Sequence, residues 1–149
     1  MERILIVDDE ADVVRLLQKY LTSKKYEVYT ATSGLEAIQK VKEVMPHIVF
    51  LDIIMPGMGG IETMQEIKKI NPKIIVTMVT AVIDEELAKR TVELGADDYI
   101  VKPIKLELIR AYVATKVVQL MALGLEAGPA EPIAQRPHQY PGRTGILRR

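Results

Sequence analysis

The chain has 149 residues, twenty Lys plus Arg against twenty Asp plus Glu, and a formal net charge of zero with both histidines neutral. That is one domain's worth of length, and 48% hydrophobic residues can bury a sizeable core, an aliphatic one because only six Tyr, one Phe and no Trp are present. Zero net charge offers no global basic field for nucleic acid or anionic lipid. The absence of cysteine excludes disulfides and thiolate metal sites, and two histidines as far apart as His47 and His138 do not suggest zinc.

The N-terminus carries only four consecutive apolar residues, Ile4 to Val7, too few for a signal peptide or a membrane span, so a cytoplasmic protein is expected. Strands are predicted at Ile4 to Val7, Val28 to Ala31, Ile48 to Leu51, Ile74 to Val79 and Tyr99 to Val101. The first and third are flat apolar runs, as expected when both faces are covered. Five helical patterns alternate with them. Val13, Leu17 and Leu21 share one helical face. Ser33 with Glu36 reads as a capping box opening a helix that carries Ile38, Val41 and Met45 and stops at Pro46. Ile61, Met64 and Ile67 form the third stripe, and Leu87, Thr91 and Leu94 the fourth, ended by Gly95. Leu106, Ile109, Val113, Val117 and Leu120 form the fifth. Strand and helix alternating five times imply right-handed crossovers onto a parallel sheet, hence a three-layer α/β sandwich. Residues 124–149 hold eight of the seventeen Gly and Pro residues and no sustained apolar period. The folded domain is therefore predicted to be 1–123 and 124–149 a disordered tail.

In such sheets ligands sit beyond the carboxyl ends of the strands, and the polar residues fall there. Asp8, Asp9 and Glu10 follow the first strand, Asp52 the third, Thr80 and Ala81 the fourth, Lys102 and Pro103 the fifth. Each alone has an ordinary explanation: acids before a helix favour its dipole, Asp52 suits a turn, Thr80 a cap and Lys102 solvent. Together these explanations fail, because gathered carboxylates repel and raise one another's pKa. A hard divalent cation such as Mg2+ offsets that repulsion while leaving room for phosphate oxygens, and a lysine suits an anion beside it.

The apolar strand ending in Asp8-Asp9, the run Leu51, Asp52, Ile53, Ile54, Met55, Pro56, Gly57, Met58 and Gly60, then Thr80-Ala81, then Tyr99 three before Lys102-Pro103 resemble the signature of response-regulator receiver domains, the phosphoacceptor modules of two-component signalling. The resemblance covers about residues 1–121 and implies a flavodoxin-like (βα)5 sandwich with a five-stranded parallel sheet. It implies that Asp52 is the phosphoacceptor, a carboxylate nucleophile forming an acyl phosphate, and that Mg2+ is held by Asp8, Asp9, Asp52 and the backbone carbonyl of Ile54. Lys102 would bind a phosphoryl oxygen, Thr80 would hydrogen-bond the phosphoryl group, and Tyr99 would follow Thr80 inward as the switch. A cis Lys102–Pro103 bond is implied too. The implied partners are a histidine kinase or histidine phosphotransfer protein, docking near Val13 to Leu17, and a downstream protein or effector domain reached through the surface of the fourth helix, fifth strand and fifth helix. The resemblance also allows a phosphorylation-linked homodimer. Such a protein is a regulator rather than an enzyme, assisting only its own phosphorylation and dephosphorylation.

The chain departs from the pattern at Gly59, where an acid or amide is frequent, and carries apolar residues two after Asp52 and two after Thr80, Ile54 and Val82. Both flank the path of an attacking water, so a long-lived phosphoform is expected. The alternative is a haloacid-dehalogenase-type phosphatase, but its second Asp two after the nucleophile is replaced by Glu10 or Ile54. A flavodoxin-type cofactor binder fares worse, since the acidic stretch Asp8 to Asp12 repels phosphate. The tail is too short for a helix-turn-helix module, so no direct DNA binding by this chain is expected, and its arginines, Arg136, Arg143, Arg148 and Arg149, read as solvated.

Overall fold

Short β-branched runs separated by amphipathic segments can satisfy their backbone and bury their apolar sides only as a parallel sheet covered on both faces. That is the arrangement in the computed structural model, which describes residues 1–81 and 85–124. The order is β1 (Arg3–Val7), α1 (Ala11–Ser23), β2 (Glu27–Ala31), α2 (Gly34–Val44), β3 (Ile48–Asp52), α3 (Gly60–Ile70), β4 (Ile75–Thr80), α4 (Glu85–Glu93), β5 (Asp98–Val101) and α5 (Leu106–Ala122). All neighbouring strands are parallel, in the order β2-β1-β3-β4-β5. The expected five-stranded α/β sandwich is therefore the observed fold. Val82 and residues 125–149, with the predicted tail, lie outside the described residues.

Side-chain alternation splits the core in two. Leu5, Val7, Val49, Leu51, Val76 and Met78 face α2 and α3, where Ala37, Val41, Met64 and Ile67 meet them, with Leu87 of α4 packed alongside. Ile4, Ile6, Ile48, Phe50 and Val79 face the other way, onto Val14, Leu17 and Leu21 of α1 and Ile109 and Val113 of α5. Helical faces are rotated slightly from the predicted stripes. Val14, Ala37, Thr63, Ala88 and Lys116 are buried, whereas Val13, Ile38 and Ile61 are half-buried. Where α2 and α3 approach closely, small residues take the buried places. A Cβ on Gly34 would stand 2.3 Å from Thr63 Oγ1 across the α2–α3 contact. Lys116 is buried by laying its stem along Tyr112, with Nζ 5.2 Å from the ring centroid.

The capping box at α2 is reorganised. Ser33 Oγ accepts from the Glu36 N–H at 3.2 Å, but Glu36 Oε1 reaches past Ser33 to the Thr32 N–H at 2.7 Å. Far from the carboxyl ends of the strands, Lys68 of α3 donates to Asp97 Oδ2 at 2.7 Å and to the Ile74 carbonyl at 2.5 Å. Asp97 Oδ2 also accepts the Val76 N–H at 2.8 Å, so one ion pair joins α3, β4 and the approach to β5.

The turn after β3 is set by Gly60, whose N–H donates to the Ile53 carbonyl at 2.8 Å. A Cβ there would lie 2.2 Å from the Asp52 carbonyl oxygen and 2.6 Å from Ile53 Cα, backbone atoms that cannot step aside without moving the end of β3. Gly60→Ala is expected to cost about 1–3 kcal/mol, the usual range for overpacking, read as a lower urea midpoint with an unchanged slope.

Candidate functional site

The strand order reverses direction between β1 and β3, since β2 lies to one side of β1 while β4 and β5 lie beyond β3. Connections leaving those two strands diverge to opposite faces and open a crevice at their carboxyl ends. Asp8 stands directly after β1, and its N–H bonds to the Ala31 carbonyl at 3.2 Å; Asp52 is the last residue of β3. Both carboxylates are buried, at 3% and 6% exposure, while Asp9 is exposed. Carboxylate oxygens of Asp8, Asp9 and Asp52 all lie within 4.8 Å of one another.

Lys102 enters from the end of β5. Its N–H bonds to the Thr80 carbonyl at 2.8 Å, and the peptide bond to Pro103 is cis. The ammonium lies 2.9 Å from Asp8 Oδ2, 2.9 Å from Glu10 Oε1 and 3.4 Å from Asp52 Oδ2. Glu10 stood in the acidic run of the sequence without a role, and its pairing with a residue 92 positions away is a tertiary fact. The signal available was that Glu is a poor N-cap residue, yet Glu10 occupies the N-cap of α1.

Burial pushes the Asp52 carboxyl above the ordinary aspartate value, as does the charge of Asp8. Lys102 and the Ile54 N–H, which donates to Asp52 Oδ1 at 3.2 Å, oppose the shift without cancelling it. Lys102 is pulled down by its own burial, but its bonds to Asp8 and Glu10 and the charges of Asp52 and Asp8 outweigh this and hold it above the usual lysine value.

Thr80 closes β4 and is buried at 2% exposure. Tyr99 pairs in register with Met78, and Val101 with Thr80. Alternation along the strands then puts Thr80 and Tyr99 diagonally on one face of the sheet. Tyr99 is half-buried there against the α2–α3 core. Ile54 projects 61% exposed from the loop after β3. Gly59 is the N-cap of α3 and offers no side-chain cap; Thr63 Oγ1 instead donates to the Gly59 carbonyl at 2.8 Å.

Comparison with known proteins gives the class. The family model for the response regulator receiver domain matches residues 4–114. The chemotaxis protein CheY of Treponema pallidum is 36% identical over 116 residues, 76% of this chain and 81% of that one. The alkaline phosphatase synthesis transcriptional regulatory protein PhoP of Bacillus subtilis is 39% identical over 113 residues, 75% of this chain but 47% of that protein. Among solved structures, a CheY-like receiver domain from Methanospirillum hungatei JF-1 superposes with a TM-score of 0.79 at 28% identity, covering 83% of this chain and 99% of that one. The chain belongs to the response-regulator receiver family. It spans about half the length of the first curated relatives it matches. Receiver domains are phosphoacceptor regulators and generally not catalytic enzymes, which favours the receiver reading over the haloacid-dehalogenase-type alternative. Receiver domains bind Mg2+ at an acidic pocket, and this chain gathers the carboxylates of Asp8, Asp9 and Asp52 into an acidic cluster at the corresponding sheet edge. Among the described residues no helix is long and apolar enough to cross a membrane.

Because the folded state raises the Asp52 pKa, the associated stability is fully present below the ordinary aspartate value and is lost as pH rises through the folded value. At neutral pH, therefore, the ionised carboxylate is a cost. In metal-free buffer Asp52→Asn is expected to melt at a higher temperature than the parent at pH 7. The difference should shrink as pH falls through the aspartate range, measured by circular dichroism melts at both ends.

Proposed function

We infer that the chain is a phosphorylation-dependent switch in which Asp52 receives a phosphoryl group from a histidine kinase or histidine phosphotransfer protein. The observation that carries this reading is the buried Asp52 carboxylate at the mouth of the crevice, with Asp8, Asp9 and a lysine ammonium gathered around it. An Asp52 oxygen attacks phosphorus; the Asp52 O–P bond forms as the donor's bond to phosphorus breaks, and the leaving group departs with that electron pair. Three carboxylates without nitrogen or sulfur donors suit a hard cation, which would compensate an Asp52 charge that burial, and then the neighbouring Asp8, disfavour. Asp8, Asp9 and Asp52 would hold Mg2+, with the Ile54 carbonyl as a further oxygen. When bound, Mg2+ supplies neutralisation of the phosphoryl oxygens.

Lys102 takes one phosphoryl oxygen and balances charge that spreads over the group during transfer. Thr80, on the neighbouring strand end, hydrogen-bonds the phosphoryl group once it is formed. The added charge and acceptors then draw Thr80 inward, and Tyr99, diagonal to it on the same face, follows. The altered surface of α4, β5 and α5 engages a downstream protein or an effector domain.

Incubation with Mg2+ and acetyl phosphate should add one phosphate to the intact mass of the parent and none to Asp52→Asn. An adduct that survives the substitution, or none in the parent under conditions that preserve acyl phosphates, would overturn the reading. Ile54 is apolar and exposed beside the phosphoacceptor, where it hinders approach of water. Replacing it by Asn should shorten the phosphoform lifetime severalfold, followed by the decay of the same mass adduct.

A further inference from the structure

This inference rests on the phosphoacceptor reading above and concerns Glu10, which that reading leaves unused. Short side chains dominate N-caps because they fold back onto the first-turn N–H groups. Glu10 makes no such bond at the N-cap of α1. Its backbone is instead fixed by its N–H bond to Asp8 Oδ1 at 2.9 Å, and its carboxylate, 61% exposed, crosses the crevice mouth to Lys102.

An ammonium has three N–H donors. Lys102 has three carboxylates around it, and the longest of the three contacts, 3.4 Å, is to Asp52. Taking up phosphoryl oxygens therefore means giving up an existing acceptor. Asp8 is buried, and stripping it of its cation leaves an uncompensated charge in the interior. Glu10 is exposed, so water replaces Lys102 at small cost.

We propose that Glu10 is a latch on Lys102, a positioning residue that holds the ammonium toward the rim of the resting site and releases it when Asp52 is phosphorylated. A contact made in the resting state and lost in the transition state raises the barrier. The latch thus slows phosphoryl gain. It leaves phosphoryl loss unchanged, because Lys102 is already off Glu10 in the phosphorylated form.

The test compares the full chain with Glu10→Gln and Glu10→Asp, each also combined with Lys102→Ala, in Mg2+ and acetyl phosphate, following adduct formation and decay by intact mass. Aspartate keeps the charge but withdraws the carboxylate by one methylene, which should break the 2.9 Å contact. Both single variants should phosphorylate about two- to five-fold faster, the range an exposed ion pair supports, decay at the parent rate, and show no gain when Lys102 is absent. In metal-free protein the Lys102 side-chain ammonium resonance should shift in both. A slower or unchanged rate, a gain that persists without Lys102, or a gain in Glu10→Gln alone would overturn the latch, the last by tracing the effect to net charge. If the parent takes up no phosphate, or does so without Asp52, the phosphoacceptor reading fails instead. The metal-free resonance still decides whether the Glu10–Lys102 contact exists: an unmoved signal in both variants overturns it.

Discussion

Two buried aspartates from adjacent strands, facing a single lysine ammonium, are the constraint around which this molecule is arranged. Asp8 and Asp52 are brought together because β1 and β3 are neighbours at the point where the sheet changes direction. Burial of Asp52, and after it the charge of Asp8 held beside it, raise the Asp52 pKa. Lys102 offsets part of it and is itself kept charged by the same groups despite its burial. The site is thus poised between excess negative charge and incomplete compensation, which is the condition in which a cation or a phosphoryl group alters it most.

The scaffold is stiff where that balance requires it. Both faces of β1 and β3 are closed by aliphatic packing, so their ends cannot drift. Gly60 lets α3 start against the backbone of Asp52 and Ile53, fixing the loop that carries the Ile54 N–H to Asp52. At the other end of the strands the Lys68–Asp97 pair ties α3 to β4 and the start of β5. Polar groups are thereby divided between one edge where they are fully bonded into the frame and another where they face a crevice.

Much of this was legible in the chain itself. Flat apolar runs announced β1 and β3, and five repeats of strand and helix implied the parallel sandwich. The buried helical faces differ from the predicted stripes by a fraction of a turn. Large aliphatics marked each stripe, but Val14, Ala37, Thr63 and Ala88 share the buried positions, and at Thr63 the close approach of Gly34 leaves room for a small polar side chain that hydrophobicity does not flag. Lys116 is buried by its stem over Tyr112, an arrangement with no sequence pattern.

By itself, then, the sequence determined the sheet, its approximate strand ends and the acids, hydroxyl and lysine carried there, since period and composition are local properties. Only the tertiary structure decided which of those groups touch. Lys102 lies closest to Asp8 and Glu10 rather than Asp52, Glu36 caps through Thr32, and Asp97 pairs with Lys68. Such pairings depend on how strands far apart in the chain are ordered and how far each side chain reaches, and neither is written in any one stretch of residues.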